Sequence, residues 1–240
     1  MIKIYEVMAI ENQRPLFYQR HMKRFLNSIA LYKSYKLDEL IKNVDQLIAP
    51  LLNSSKGFNI KVNYFCDTNE FSAELIVSRK PDSITYKNGG TTGLFKGERV
   101  DPLIKRENLN FKEETGKYCE LMGFYDVLLV NEMGHITEGS RSNFLLIDKD
   151  GSIISSPIGE ALNGITREVI FDICKEKQIN VYEKIVTEDL LREVDSLIIT
   201  GTSPGILPVI RCDDIKFNIN NTVIKVLQNE YEKQKGVSPI

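Results

Sequence analysis

The chain is poor in the residues that bind metals or nucleic acids. It has two histidines, His21 and His135. Its four cysteines, Cys66, Cys119, Cys174 and Cys212, lie far apart with no C-x-x-C pair. No zinc site is expected from so small a ligand supply. Charge of one sign is also lacking, since 31 basic and 33 acidic residues leave a net charge of −2. Basic runs such as Arg20-His21-Met22-Lys23-Arg24 are short and interrupted, so nothing argues for binding DNA or RNA. No apolar run approaches the ~18 residues of a membrane-spanning helix. The start, MIKIYEVMAI, alternates like a strand and lacks the pattern of a signal peptide. That fits a reducing cytoplasm for the cysteines.

What is present is an ordinary globular composition. The 240 residues are 42% hydrophobic and 27% charged, enough for one large or two medium domains. Ile2, Ile4 and Val7 predict a first strand, closed by a turn at ENQRP (11–15). Apolar residues from Leu16 at helical spacing (Phe17, His21, Phe25, Ile29) predict a helix to about Tyr32. Asp38 is the expected cap of a second helix bearing Leu40, Ile41, Val44, Leu47, Ile48 and Leu51, stopped by Pro50 and NSSKG (53–57). NIKVNYF (59–65) and SAELIVS (72–78) predict a hairpin. Four glycines in residues 81–98 suggest a connection, although a phosphate-binding P-loop is not spelled there.

Further on, a helix is expected around 107–122, then YDVLLVN (125–131) and HITEG forming a hairpin. SNFLLID (142–148) and SIIS (152–155) pair across Lys149-Asp150-Gly151. Helices follow near Thr166, after a cap at Thr187, and over roughly 221–235, with the strand SLIIT (196–200) opening into GTSPG (201–205). The order predicts an α+β, or mixed α/β, chain rather than a doubly wound parallel sheet. The expected organisation is a smaller domain over 1–86, a glycine-rich connection over 87–98 and a larger domain over 99–240.

Three stretches carry chemistry. Glu138 in HITEGSRSNFLLI (135–147) is an acid between two apolar strands, where a charge needs a partner. In NGITREV (163–169), Gly164 allows a close turn, and the amides of Ile165 and Thr166 with the Thr166 hydroxyl form a helix start suited to phosphate. By itself this reads as an ordinary helix cap. GTSPG offers Thr202 and Ser203 at a strand end and by itself reads as a turn. A phosphate site together with a buried acid suggests pyridoxal phosphate, which needs an acid at its ring nitrogen and a lysine at its aldehyde.

From residue 1 to about 215 the chain resembles the fold-type IV, or class IV, pyridoxal-phosphate enzymes. These comprise branched-chain and D-amino acid transaminases and aminodeoxychorismate lyase. PLFYQRHMKRFLNS (15–28), RVDPLIKREN (99–108), GHITEGSRSNFLLI (134–147), LNGITREVI (162–170) and LIITGTSPGILPV (197–209) occur in family order. The resemblance implies a two-domain, D-amino acid aminotransferase-like fold and a homodimer. It makes Lys105, in its Ile-Lys-x-x-Asn setting with Asn108, the Schiff-base lysine, ahead of Lys96, Lys112 and Lys117. It sets Glu138 at the ring nitrogen, and Arg24, Ile165, Thr166 and Thr202 at the phosphate. The Thr202–Ser203 backbone then receives the substrate carboxylate, while Asn143 braces the loop around Glu138.

The implied activity moves an amino group between a small amino acid and a 2-keto acid. Two alternatives remain: a lyase giving 4-aminobenzoate and pyruvate, and a cofactor-binding protein with lost catalysis. Tyr5-Glu6 resembles the tail of the family's opening segment, which implies a shortened N-terminus. Leu109 is similar to D-amino acid transaminases, whereas Asn163-Gly164 is similar to the lyase.

Overall fold

The computed structural model describes residues 2–54 and 57–237. The chain divides into two compact units. One contains Met1–Arg79, Leu103–Glu107 and Lys235–Ile240, and the other Lys80–Pro102 and Asn108–Gln234.

The first unit is built on an antiparallel sheet ordered β2-β1-β3-β4. Its strands are β1 (Lys3–Glu11), β2 (Arg14–Pro15), β3 (Phe58–Phe65) and β4 (Glu70–Val77). Asn12 and Gln13, with φ of 51° and 60°, make the tight turn between β1 and β2. Helices α1 (Tyr18–Ile29) and α2 (Leu37–Ile48) supply Met22, Phe25, Ile29, Leu40, Val44 and Ile48. These pack with Ile4, Met8, Ile60, Val62 and Tyr64, the alternate residues of β1 and β3.

Two helix starts differ from expectation. α1 begins at Tyr18 because Phe17 is left-handed, with φ 52°. α2 begins after Lys36, so Asp38 is not its cap but a first-turn acid favoured by the helix dipole. A 3₁₀ segment over Ala49–Ser54 follows, and Ser55 and Lys56 of the expected stop lie outside the described residues.

The second unit carries a larger mixed sheet. Its strands are β5 (Gly90–Lys96), β6 (Asp126–Val130), β7 (Ile136–Gly139), β8 (Asn143–Ile147), β9 (Ile153–Ser155), β10 (Val181–Glu183), β11 (Ser196–Gly201), β12 (Gly205–Cys212) and β13 (Ile215–Lys216). The order is β10-β9-β8-β11-β12-β5-β6-β7, with β13 on β12. The pairs β10–β9, β12–β5 and β5–β6 are parallel, and the others are antiparallel. The helices are α3 (Ser83–Asn88), α4 (Leu109–Met122), α5 (Ile165–Glu176), α6 (Glu188–Glu193) and α7 (Thr222–Val237). α6 is capped by Thr187, whose side chain accepts from the Leu190 amide.

The glycine-rich stretch expected as a connection over 87–98 contains β5, a strand inside this sheet, paired on both sides. Gly93, inside the strand, serves close packing rather than conformational freedom. A Cβ on Gly93 would come within 2.4 Å of the Phe124 ring and 2.6 Å of an Asp213 carboxylate oxygen. That carboxylate already accepts from the Leu94 amide through its other oxygen at 2.8 Å, so it cannot move away cheaply. Gly93→Ala is therefore expected to destabilise the protein by about 1–3 kcal/mol. Urea unfolding followed by circular dichroism measures it, and an unchanged midpoint contradicts the packing argument.

Candidate active site

In the first unit, Lys105 is held by main-chain bonds along an edge of β1. The Tyr5 amide donates to the Lys105 carbonyl at 3.0 Å, and the Glu107 amide to the Lys3 carbonyl at 2.9 Å. The residue is therefore placed by backbone pairing. Its Nζ stands 5.1 Å from the centroid of the Tyr5 ring, and the Lys61 Nζ is 5.4 Å from the same centroid. Lys61 donates to Glu107 at 2.7 Å, and Lys3 pairs with that same acid.

Arg24 in α1 belongs to a second group in this unit, around fully buried Glu6 of β1. Arg24 Nε and Nη2 donate to the two Glu6 oxygens, both at 2.7 Å, and His21 Nδ1 lies 2.9 Å from Oε2. Burial pushes the Glu6 carboxyl up, but Arg24 and His21 outweigh it and hold Glu6 well below its ordinary 4.5. Burial lowers His21 from 6.5, with Glu6 opposing, which favours the neutral ring donating to Glu6. Arg24 is thus oriented by a fork-on-fork pair with Glu6.

In the second unit, Glu138 is the next-to-last residue of β7, with only 2% of its surface exposed. Its Oε1 is 3.2 Å from Arg99 Nε, and its Oε2 accepts from the Leu162 amide at 3.3 Å. The turn after it is tied to a second buried acid, Asp126. Ser140 Oγ and Ser142 Oγ each donate to Asp126 at 2.6 Å, and the Val127 amide donates at 2.9 Å. The small residues after Glu138 therefore anchor the turn beneath it.

Leu162 leads into Asn163-Gly164 and the start of α5. Asn143 Nδ2 donates to the Leu162 carbonyl at 2.8 Å, so Asn143 links the Glu138 strand pair to this loop. No side chain caps α5, which leaves the amides of its first turn, Ile165 and Thr166 included, without a capping acceptor from its N-cap residue. Gly164 has an ordinary φ of −71°. Glycine is required there because a Cβ would fall 1.9 Å from Asn143 Oδ1. Thr202 and Ser203 lie half-buried in the turn between β11 and β12. Tyr231 of α7 touches both clusters: its hydroxyl is 3.4 Å from Thr166 Oγ1, and its ring packs at Gly205.

Several contributors carry no local mark in the sequence. Arg99, Glu6, Asp126 and Tyr231 act through partners 18 to 65 positions away or through buried hydroxyls. Arg167, buried in α5, binds Ser155 Oγ at 2.9 Å, the Ser156 carbonyl at 3.0 Å and Glu183 at 3.2 Å. Only faint signs existed for two of them: Asp126 opens an otherwise apolar strand, and Glu6 belongs to the Tyr5-Glu6 pair.

Within the second unit, an uncapped helix start and a buried carboxylate are groups that pyridoxal phosphate requires, so the residues of that unit fit the cofactor. Comparison with known proteins agrees. The family described as amino-transferase class IV matches residues 3–212. A D-alanine aminotransferase of Staphylococcus aureus is 30% identical over 96% of this chain and 87% of its own. A Thermotoga maritima structure, assigned as a branched-chain amino acid aminotransferase, superposes with a TM-score of 0.82 at 25% identity, covering 97% and 86% of the two chains. A Legionella pneumophila structure, assigned as a 4-amino-4-deoxychorismate lyase, gives 0.83 at 18% identity, covering 97% and 91%. The chain belongs to the class IV aminotransferases. It is a pyridoxal-phosphate-dependent aminotransferase acting on amino acids and keto acids. No helix among the described residues is long and apolar enough to cross a membrane.

Two outcomes follow from this geometry. Because Glu6 titrates below its unfolded value, it contributes stability above about pH 4.5 that is lost as pH falls below that value. Glu6→Gln is expected to be less stable than the natural protein at pH 7, with the gap narrowing below pH 4.5, as read by urea midpoints across pH. Gly164→Ala is expected to displace Asn143 and weaken phosphate binding. Titration of the cofactor-free protein with pyridoxal phosphate should show about a tenfold rise in Kd, equal to roughly one lost hydrogen bond to a charged group.

Proposed function

We propose that the chain transfers the amino group of a small amino acid to a 2-keto acid, using Lys105 and Glu138 on one pyridoxal phosphate. The observation that carries this reading is the buried Glu138 carboxylate, held by Arg99 and the Leu162 amide in the same unit as the uncapped start of α5. Lys105 Nζ would be the group that holds the cofactor at its aldehyde carbon, and as a neutral amine it would take the proton from the substrate α-carbon and return it to the cofactor's former aldehyde carbon. Glu138 keeps a proton on the ring nitrogen. The bound cofactor supplies an electron sink for the charge left on the α-carbon. Arg24, the Ile165 and Thr166 amides and the Thr166 and Thr202 hydroxyls bind the phosphate, and the Thr202–Ser203 backbone receives the substrate carboxylate.

D-Alanine is the first donor to test, because the Staphylococcus aureus relative carries that name. The protein acts in the cytoplasm, where its four free cysteines remain reduced. It works as a homodimer, and the exposed apolar side chains Val100 and Leu109 suit coverage by a second copy.

Purified protein loaded with pyridoxal phosphate is expected to convert D-alanine and a 2-keto acid to pyruvate and the new amino acid. Borohydride reduction should leave the pyridoxyl mass on the peptide containing Lys105. Lys105→Ala is expected to lose that mass and at least about 10²- to 10⁴-fold in turnover. A label on another lysine removes the assignment of Lys105, and 4-aminobenzoate formed from aminodeoxychorismate without a keto acid replaces transfer with lyase chemistry. Sedimentation equilibrium showing only monomer would remove the dimer.

A further inference from the structure

Arg99 lies in the segment before β1's partner lysine but within the second unit, and it has an unusual set of contacts. Its side chain is 16% exposed, yet its polar contact among the described residues is with Glu138 alone, at 3.2 Å from Nε. Its Nη1 is buried with no hydrogen-bond partner there. A guanidinium has five N–H donors, and leaving a buried one unsatisfied costs about 1–3 kcal/mol. An arginine kept for packing or stability does not look like this.

Arg167, the other buried arginine of the unit, shows the contrast. It bonds to Ser155, Ser156, Glu183 and, at 3.4 Å, Asn163, and these contacts stitch α5 to β9 and β10. Glu138 also lies within electrostatic range of Arg167. Arg167 is nevertheless satisfied by other groups, whereas Arg99 is committed to Glu138.

The partner makes the difference functional. Glu138 is 2% exposed, and a buried carboxylate stays ionised only beside a countercharge. Buried ion pairs add little net stability over apolar packing, so such a pair is better explained by what its charge does. An acid that serves a ring nitrogen must be ionised beforehand and must point along one direction. The Leu162 amide fixes Oε2, and the Arg99 charge stands 3.2 Å from Oε1, an oxygen that accepts no hydrogen bond among the described residues.

We propose that Arg99 is the positioning residue of Glu138, holding its carboxylate ionised and aimed so that it meets the cofactor's pyridine nitrogen. The inference rests on the Proposed function for Glu138 and extends it to a residue that itself touches neither substrate nor cofactor. Arg99 thereby sets how firmly the ring nitrogen keeps its proton.

The test compares two cofactors on cofactor-free protein. Pyridoxal phosphate offers Glu138 a ring nitrogen. Its 1-deaza analogue has the same phosphate and aldehyde with a carbon at that position. Equilibrium titration gives Kd for each with the natural protein and with Arg99→Gln, Arg99→Lys and Glu138→Gln.

Arg99→Gln is expected to weaken pyridoxal phosphate by about 10- to 100-fold while leaving the deaza analogue within about twofold. Arg99→Lys, which keeps the charge, should recover most of the loss. In a Glu138→Gln background, Arg99→Gln should add no further loss. Equal loss for both cofactors, or no loss for either, overturns the role of Arg99. Urea unfolding of the cofactor-free variants identifies any that do not fold, and Arg99→Lys then carries the comparison, its preference between the two cofactors deciding the outcome. If the natural protein itself fails to distinguish the two cofactors, the role of Glu138 at the nitrogen falls, and the role of Arg99 falls with it. A Glu138→Gln effect without an Arg99 effect leaves the parent reading standing and removes only this one.

Discussion

A carboxylate taken out of water has to be matched, and three buried acids organise both units of this protein through the way each is matched. Asp126 accepts from two serine hydroxyls and from the Val127 and Arg141 amides, groups that fix shape and add no charge. Glu6 is met by the fork of Arg24 and by His21, and Glu138 by Arg99 together with the Leu162 amide. The chemistry of the partners separates the roles. Neutral donors suit an acid that only pins a turn, while guanidinium groups suit acids whose ionised state must be secure. Asp126 accordingly sits beneath the turn, and Glu138 stands one step before it on the same strand pair.

The periodic elements of this fold were legible in the sequence, and those without a period were not. α1 and α2 show their apolar stripe, the 58–77 hairpin alternates, and Thr187 marks the start of α6 with a side chain that does cap it. β5 was hidden because close packing selects glycines, as at Gly93, and glycine suggests a connection when read without neighbours. β10 was missed because it is three residues long, and Tyr182 and Glu183 face solvent. Asp38 misled because an acid suits the first turn of a helix as well as its cap.

For the proposed site, Lys105, Glu138, Arg24 and Thr166 were chosen from motifs in family order. Their supports could not be, because a pair such as Arg99 and Glu138 is joined only by folding. No spacing rule connects an arginine just after one strand with an acid inside another. Glu6 was legible as a motif remnant, but not as the acid that orients Arg24.

The groups proposed to meet the cofactor depend heavily on the main chain. Lys105 is set by amide–carbonyl bonds to β1, and the start of α5, proposed to face the phosphate, offers helix amides. Backbone groups are the same whatever the side chains, so such placement survives extensive substitution elsewhere. This explains how a TM-score of 0.83 coexists with 18% identity, and 0.82 with 25%. The positions that cannot drift are those where a side chain or its absence is the device: the glycine facing Asn143, the acid of Glu138 and the charge beside it. Conserved geometry at low identity is therefore expected wherever a fold places its reactive atoms through peptide bonds and reserves side chains for the charges themselves.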